Sequence, residues 1–376
     1  MITATELEEK LLRFTREKLA TPDAAGPVTR DTRLFEDRVI DSLKVLELIA
    51  FVQAAIGRKI PDSQIVLANF RTIATIASVF TSDTPPQQRR RSRPRIRLRN
   101  SVEQSPVEQL IADGQIQLTP DGGLYIHGDV AALYEYFDGT IRGWADELGA
   151  AEEYFADEIA LETLERAGFL SAFPDKLVRS ETGARSPAVC YHHYPAFADR
   201  TITSRGSIVT AVGRCYRNEF DAAAAHPEER LRSFTMREIV AIGDPEFVER
   251  LRSDLIERTR IWVKELGLDG HITTANDPFF TGESRGRAVM QQLLPLKYEL
   301  QLRTGEDGRT IAVASFNNHH EHFARAFSIR LTSGEHATSG CVAFGWERFL
   351  IAFLNQHGSD PASWPEIIRG HHVAAV

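Results

Sequence analysis

Arg214-Cys215-Tyr216-Arg217-Asn218-Glu219-Phe220, a polar, alanine-rich run over residues 221–229, and Arg230-Leu231-Arg232-Ser233-Phe234-Thr235-Met236-Arg237-Glu238 decide the fold. They read as strand, loop, strand, with arginines at both ends of a long loop. A guanidinium offers a rigid fork of donors that suits phosphate oxygens. Glu219 can accept from a base amino group, and Phe234 can stack on a ring. The same residues also describe a charged hairpin with surface ion pairs, which are worth little. A second stretch, Gly340-Cys341-Val342-Ala343-Phe344-Gly345-Trp346-Glu347-Arg348-Phe349, joins a glycine-bounded strand to a helix. Glycine lets a ligand approach the backbone closely.

Together and in this order, the two stretches resemble motifs 2 and 3 of class II aminoacyl-tRNA synthetases. The resemblance implies an α+β body, an antiparallel sheet flanked by helices, around an ATP site. In that site Arg217 holds the α-phosphate and Arg348 the γ-phosphate, as the catalytic pair. Glu219 and Phe234 bind adenine, and Arg230 lies nearby on the loop. The element pattern agrees. Residues 207–212, 234–242 and 310–315 read as strands, while 129–170 and 247–266 read as helical. No strand–helix alternation of the parallel α/β type is present.

Three cysteines cannot form a disulfide framework. Isolated cysteines are most often small buried hydrophobes. Here Cys190 stands in Val189-Cys190-Tyr191-His192-His193-Tyr194-Pro195, Glu238 closes the hairpin and Cys341 opens the second stretch. This placing resembles the atypical, archaeal-type seryl-tRNA synthetases and their truncated homologues, the amino acid:carrier-protein ligases. It implies zinc on Cys190, Glu238 and Cys341, with an open fourth position of the catalytic kind. The amino group of the substrate binds there. His192, His193, His319 and His322 are the alternative ligands. Cys215 matches no ligand position and is expected in the core.

Ser315-Phe316-Asn317-Asn318-His319-His320-Glu321-His322-Phe323 resembles the Ser-x-Asn-x-His-x-x-His-Phe stretch of the ligases. Asp277-Pro278-Phe279-Phe280 and Lys297-Tyr298-Glu299-Leu300 precede it. Read without the resemblance, the histidine cluster is a solvated helix start, and His320 is given no role. Synthetases carry an acidic magnesium ligand just upstream of this segment. Residues 311–314 contain none, which leaves Glu299 as the candidate for Mg2+.

Residues 1–80 form a separate pattern. Leu7, Leu11 and Phe14 follow helical spacing, as do Ile73, Ile76 and Phe80 behind Thr72 as N-cap. A helix from about Asp41 carries a wide apolar stripe of Leu43, Leu46 and Ala50 beside Val45, Leu48 and Val52. A four-helix bundle is expected. Asp41-Ser42-Leu43 at a helix head is either a plain capping pair or a modification site, since a helix N-terminus favours phosphate. In this setting, with the Ile60-Pro61-Asp62 turn behind it, the unit resembles acyl and peptidyl carrier proteins. That implies 4'-phosphopantetheine on Ser42, attached by a phosphopantetheinyl transferase. The unit carries no net charge, whereas many carrier domains are strongly acidic.

Residues 81–103 hold Pro85, Pro86 and the run Arg89-Arg90-Arg91-Ser92-Arg93-Pro94-Arg95. Proline and like-charge repulsion oppose compaction, so this is read as a linker rather than a binder of nucleic acid or an anionic surface. The charges then fall into three blocks: neutral over 1–80, net +6 over 81–100 and net −14 over 101–376. An acidic body argues against nucleic-acid binding and repels tRNA. Residues 104–180 offer too little for a long tRNA-gripping arm. No apolar run reaches the roughly 20 residues of a membrane span, and the acidic N-terminus lacks a signal-peptide pattern, so a cytoplasmic location is expected.

The organisation expected is a carrier-like unit (1–80), a linker (81–103) and a ligase domain (104–376). The activity expected is ATP-dependent adenylation of a small α-amino acid and transfer to a phosphopantetheine thiol. The acceptor is the fused carrier or a free carrier protein, and the enzyme is a homodimer, as class II cores usually are. The rival readings are tRNA charging and a non-catalytic carrier-binding paralogue.

Overall fold

The computed structural model describes residues 2–19, 27–34, 39–40, 44–61, 64, 67–81, 105–203, 205–221, 223–224, 226–275, 296–305 and 308–369. Asp41-Ser42-Leu43, residues 82–104 and Asp277–Phe280 lie outside them. The chain divides into two compact units, whose described residues are 2–81 in the first, and 105–275 with 296–369 in the second.

In the first unit, α1 (Ala4–Phe14) starts on a capping box between Thr3 and Glu6 and runs into a π-turn over Thr15–Leu19. The others are α2 (Lys44–Ile56), α3 (Leu67–Phe70) and α4 (Ile73–Thr81). Leu7, Leu11, Ile73, Ile76 and Phe80 are buried at their expected spacing. Thr72 Oγ1 accepts from Thr75 N at 3.1 Å, the expected N-cap. Phe14 stays half-buried and stacks on Phe51, ring centroids 4.0 Å apart. The stripe on α2 differs from expectation: Leu48, Ile49 and Val52 are buried but Ala50 faces solvent. The first loop is held at the junction of α3 and α4, by Leu34 N to Arg71 O at 2.9 Å and Ala74 N to Arg30 O at 3.0 Å.

The second unit is built on seven strands: β1 (Ala151–Glu152), β2 (Ser207–Tyr216), β3 (Ser233–Gly243), β4 (Gly270–Thr274), β5 (Lys297–Arg303), β6 (Thr310–His320) and β7 (Thr338–Gly345). Their spatial order is β1-β2-β3-β7-β6-β5-β4. All pairings are antiparallel except β1 with β2, which is parallel. The sheet is therefore mixed at one edge rather than wholly antiparallel. Helices α5 (Gly128–Glu147), α6 (Cys190–Ala196), α7 (Pro245–Glu265) and α8 (Trp346–His357) complete the frame.

Two further sequence expectations need correction. The helical reading of 129–170 fails after Glu147. Gly149 turns the chain with φ of +70°, and residues 151–152 then join the sheet edge. Only short helices, Leu161–Arg166 and Phe169–Ala172, follow. The histidine cluster is a helix start only in its second half: β6 runs to His320 with His319 buried, and a short helix begins at His322. Alternating cross-strand partners supplied by β5 and β7 outcompete the local helical pattern.

One face of the sheet carries the core. Phe137 of α5, Trp262 of α7 and Phe349 of α8 meet Phe316, Val342 and Phe344 from the strands. Phe137 and Phe349 lie edge-on at 4.7 Å, and Trp262 stacks on Phe349 at 5.0 Å. On the same side, Arg237 is buried among acids. It donates to both Asp138 oxygens at 2.7 and 2.9 Å and to Glu152 at 3.0 Å, while Trp346 Nε1 donates to Asp138 at 3.0 Å. This ties helix α5, the edge strand β1 and the head of α8 to one strand.

Breaking a buried ion pair by removing one partner costs about 3–5 kcal/mol, because the remaining charge is left desolvated. Arg237→Met is expected to destabilise the second unit by that amount. Arg250→Met, which breaks an exposed pair with Glu246, should cost under about 1 kcal/mol. All four tryptophans (144, 262, 346 and 364) belong to this unit, so tryptophan fluorescence during urea unfolding reads it alone.

Candidate active site

The opposite face of the sheet carries the polar groups. Side chains alternate along a strand, so Ile239, Val342, Phe316 and Leu300 enter the core while their neighbours turn away. The register then lines up two rows across four strands. One is Glu238, Ala343, Ser315, Glu299; the next is Val240, Cys341, Asn317, Lys297.

Helix α6 supplies the third member of a cluster. Cys190, at its head, brings its thiol to Glu238 and Cys341, with the three ligand atoms within 4.8 Å of one another. All three residues are buried. Val189 N donates to Glu238 Oε1 at 3.0 Å, which fixes the head of α6 over β3. Glu238 Oε2 is buried and has no hydrogen-bond partner. Such an oxygen is costly unless something else engages it. Two thiols and a carboxylate with one free oxygen are a donor set that fits a divalent zinc ion. The thiol of Cys190 is pushed well above its usual range by its bond with Cys341 and by burial. Cys341 receives a lowering bond from Cys190, but burial and Glu238 outweigh it and raise its thiol too. Both need a cation to become thiolates.

Around Cys341, Asn317 Nδ2 donates to its Sγ at 3.3 Å and His319 Nε2 approaches that sulfur at 3.7 Å. His319 Nδ1 faces Tyr194 Oη at 3.0 Å and Ser339 Oγ at 3.3 Å. Burial holds His319 well below its usual pKa, so it is a neutral ring. The other histidines are engaged elsewhere. His192 bonds Ser186 and stacks on Phe155, His193 bonds Glu153 at 2.5 Å, and His322 bonds Ala167 O at 2.9 Å. Cys215 is wholly buried, with Val189 and Ala211.

Strands β2 and β3 form the expected hairpin, with Cys215 opposite Phe234 and Tyr216 opposite Ser233. Arg217 leaves its end, donates Nε to Pro187 O at 3.0 Å and lies over the Phe234 ring at 5.2 Å. Arg348, in the first turn of α8, donates Nε to Glu229 O at 3.0 Å. Burial, then the charges of Arg217 and Arg230, depress the pKa of Arg348. These guanidiniums repel one another, which marks an anion site. Beside them, burial opposes ionisation of Glu219. Lys176, at 2.6 Å, and the charges of Arg217 and Arg348 nevertheless hold its carboxyl below the usual range. Glu299 pairs with Lys297 at 2.6 Å and accepts from Gln301 at 3.1 Å.

Sequence reasoning missed Lys176, which reaches Glu219 from 43 positions upstream and belongs to neither motif. It also missed Asn317 as the donor to Cys341. The strand register that creates that contact is visible only once β6 is known to continue past Ser315.

Residues 181–357 match the tRNA synthetase class II core domain (G, H, P, S and T). Amino acid–[acyl-carrier-protein] ligase 1 of Bradyrhizobium diazoefficiens is 37% identical over 196 residues, covering 50% of this chain and 59% of that one. Ligase 2 of the same organism is 35% identical over 236 residues, covering 55% and 70%. Among solved structures, the M. kandleri seryl-tRNA synthetase, in complex with A. aeolicus tRNASec, superposes with a TM-score of 0.63 at 21% identity, covering 99% of this chain and 83% of that one. The alignment thus spans less than two thirds of the first ligase and just over two thirds of the second. With a class II core, a paired arginine site and this level of identity, the chain belongs to the amino acid–[acyl-carrier-protein] ligase family.

Proposed function

We propose that the protein activates a small α-amino acid with ATP and transfers it to a phosphopantetheine thiol, that of its own N-terminal unit or of a free carrier protein. The observation that carries this reading is the Cys190–Glu238–Cys341 cluster, on the sheet face that also bears Phe234, against which Arg217 packs. One site is suited to an amine and the other to a triphosphate.

In this reading Cys190, Glu238 and Cys341 would hold zinc, which when bound supplies a Lewis-acid seat for the neutral amino group. Val189 N fixes Glu238, and Asn317 stabilises the thiolate form of Cys341 by donating to it. The substrate carboxylate attacks the α-phosphorus of ATP and displaces pyrophosphate. Arg217 and Arg348 offset the charge that spreads over the phosphates, a positioning and electrostatic task. Glu219 and Phe234 seat the adenine, Arg230 lies near the phosphates on the loop, and Glu299 is the candidate carboxylate for Mg2+. The carrier thiol then attacks the acyl carbon and AMP leaves. The acceptor is read from the sequence alone: Ser42, in Asp41-Ser42-Leu43, bears phosphopantetheine. The enzyme works as a cytoplasmic homodimer. No described helix is long and apolar enough to cross a membrane.

A second reading, charging of tRNA, is favoured by the synthetase core itself. Stable aminoacyl-tRNA formed with no thioester on Ser42 would establish it over the first.

Two measurements test the proposal. Intact mass spectrometry of the phosphopantetheinylated full chain, after incubation with ATP and a panel of amino acids, should show one aminoacyl mass gain. That gain disappears in Ser42→Ala, and a gain surviving Ser42→Ala rules out loading of the fused unit. Cys190→Ser and Cys341→Ser should each release the metal and lower amino-acid-dependent ATP–pyrophosphate exchange on the order of 100-fold or more, with ATP binding kept. Zinc-free variants that retain exchange would overturn the metal assignment.

A further inference from the structure

Lys176 enters the nucleotide site from outside both motifs. It ends a single turn of 3-10 helix, Pro174–Lys176, that is stitched to the hairpin loop. Asn218 N donates to Lys176 O at 3.0 Å, and Asn218 Nδ2 donates to Asp175 O at 3.4 Å. The ammonium lies 5.7 Å from the centroid of the Phe173 ring. From there it bonds Glu219 Oε1 at 2.6 Å. Arg348 Nη2 stands 3.9 Å from the other oxygen, Oε2.

Two cations thus contend for one carboxylate. Full pairing of Glu219 with Arg348 would spend both groups: the acceptor would turn from the base, and the guanidinium would lose part of its attraction for phosphate. A carboxylate has about four lone-pair sites, so one bond from Lys176 leaves room for a base amino group. The ammonium is a compact point charge and sets no demand for a two-pronged geometry. It anchors one oxygen without claiming the other.

Taking the nucleotide reading of this site as its basis, we propose that Lys176 is a positioning residue for adenine selection. It holds the Glu219 carboxylate off Arg348 and aimed at the 6-amino group of the base, so that Glu219 reads the base while Arg348 stays free for phosphate. The site would then reject a purine without that amino group through Glu219, and Lys176 would set how strongly.

The test compares equilibrium binding of ATP and of purine riboside triphosphate, which lacks the 6-amino group, to the full chain, alongside ATP–pyrophosphate exchange. The wild type should prefer ATP. Lys176→Met should reduce that preference roughly three- to tenfold, as expected for loss of one charge-assisted bond at a half-exposed position. It should raise KM for ATP more than it lowers kcat, leave KM for the amino acid unchanged, and be only partly rescued by Lys176→Arg, whose two-pronged fork can claim both Glu219 oxygens. A merely structural lysine would not alter the ratio of the two nucleotides. An unchanged ratio in a folded Lys176→Met protein overturns the proposal. Tighter ATP binding by that variant also overturns it, by making Lys176 a competitor of the base. Failure of the wild type to bind either nucleotide would instead sink the nucleotide reading on which it rests.

Discussion

The register between β3, β7 and β6 is the constraint on which everything else depends. Side chains alternate along a strand with period two, so a slip of one residue exchanges the faces. Slipped once, β7 would carry Cys341 and Ala343 into the aromatic core and turn Val342 and Phe344 toward Cys190 and Glu238. The core resists this because Phe344 is packed by Trp144, Trp262 and Phe316. Close packing also explains Gly340. A Cβ there would lie 2.7 Å from Asn317 O and 2.8 Å from Val248 Cγ1. The hydrophobic face thereby sets the geometry of the polar one.

Arginines on the two faces do opposite work. Arg237 is matched by Asp138 and Glu152, so its charge is consumed in joining helix, edge strand and α8. Arg348 is instead held below its ordinary range by burial and then by the charges of Arg217 and Arg230, which Glu219 and Glu299 only partly offset. Such a site would be relieved by the anion proposed for it.

Much of this was legible in the sequence because the motifs are local. The hairpin from Arg214 to Glu238 and the strand–helix joint at Gly345 are contiguous stretches whose residues determine one another's neighbours. Cys215 could be placed in the core by exclusion. What could not be read depends on pairing across long separations. His319, which is buried, reads as part of a solvated helix start because helical spacing and strand alternation are hard to tell apart over so few residues. Lys176 had no signal, since nothing about a lysine after a Pro-Asp turn says which loop it will meet. Residues 148–160 were read as helix because charged, poorly β-branched segments mimic one. Gly149 and the free edge of β2 decide otherwise.

The bond from Val189 N to Glu238 has a consequence for how far the proposed ligand set can vary. Glu238 uses one oxygen to hold the head of α6, where Cys190 sits, and keeps the other free. A cysteine at position 238 has a single sulfur, and serving as ligand would leave the backbone of Val189 without its acceptor. A histidine would present its second nitrogen at a different angle and depth. The mixed composition of the cluster is thus bound to its architecture: the carboxylate is the side chain able to be both ligand and hinge-pin. A drift toward three sulfurs would require the segment before α6 to be rebuilt at the same time.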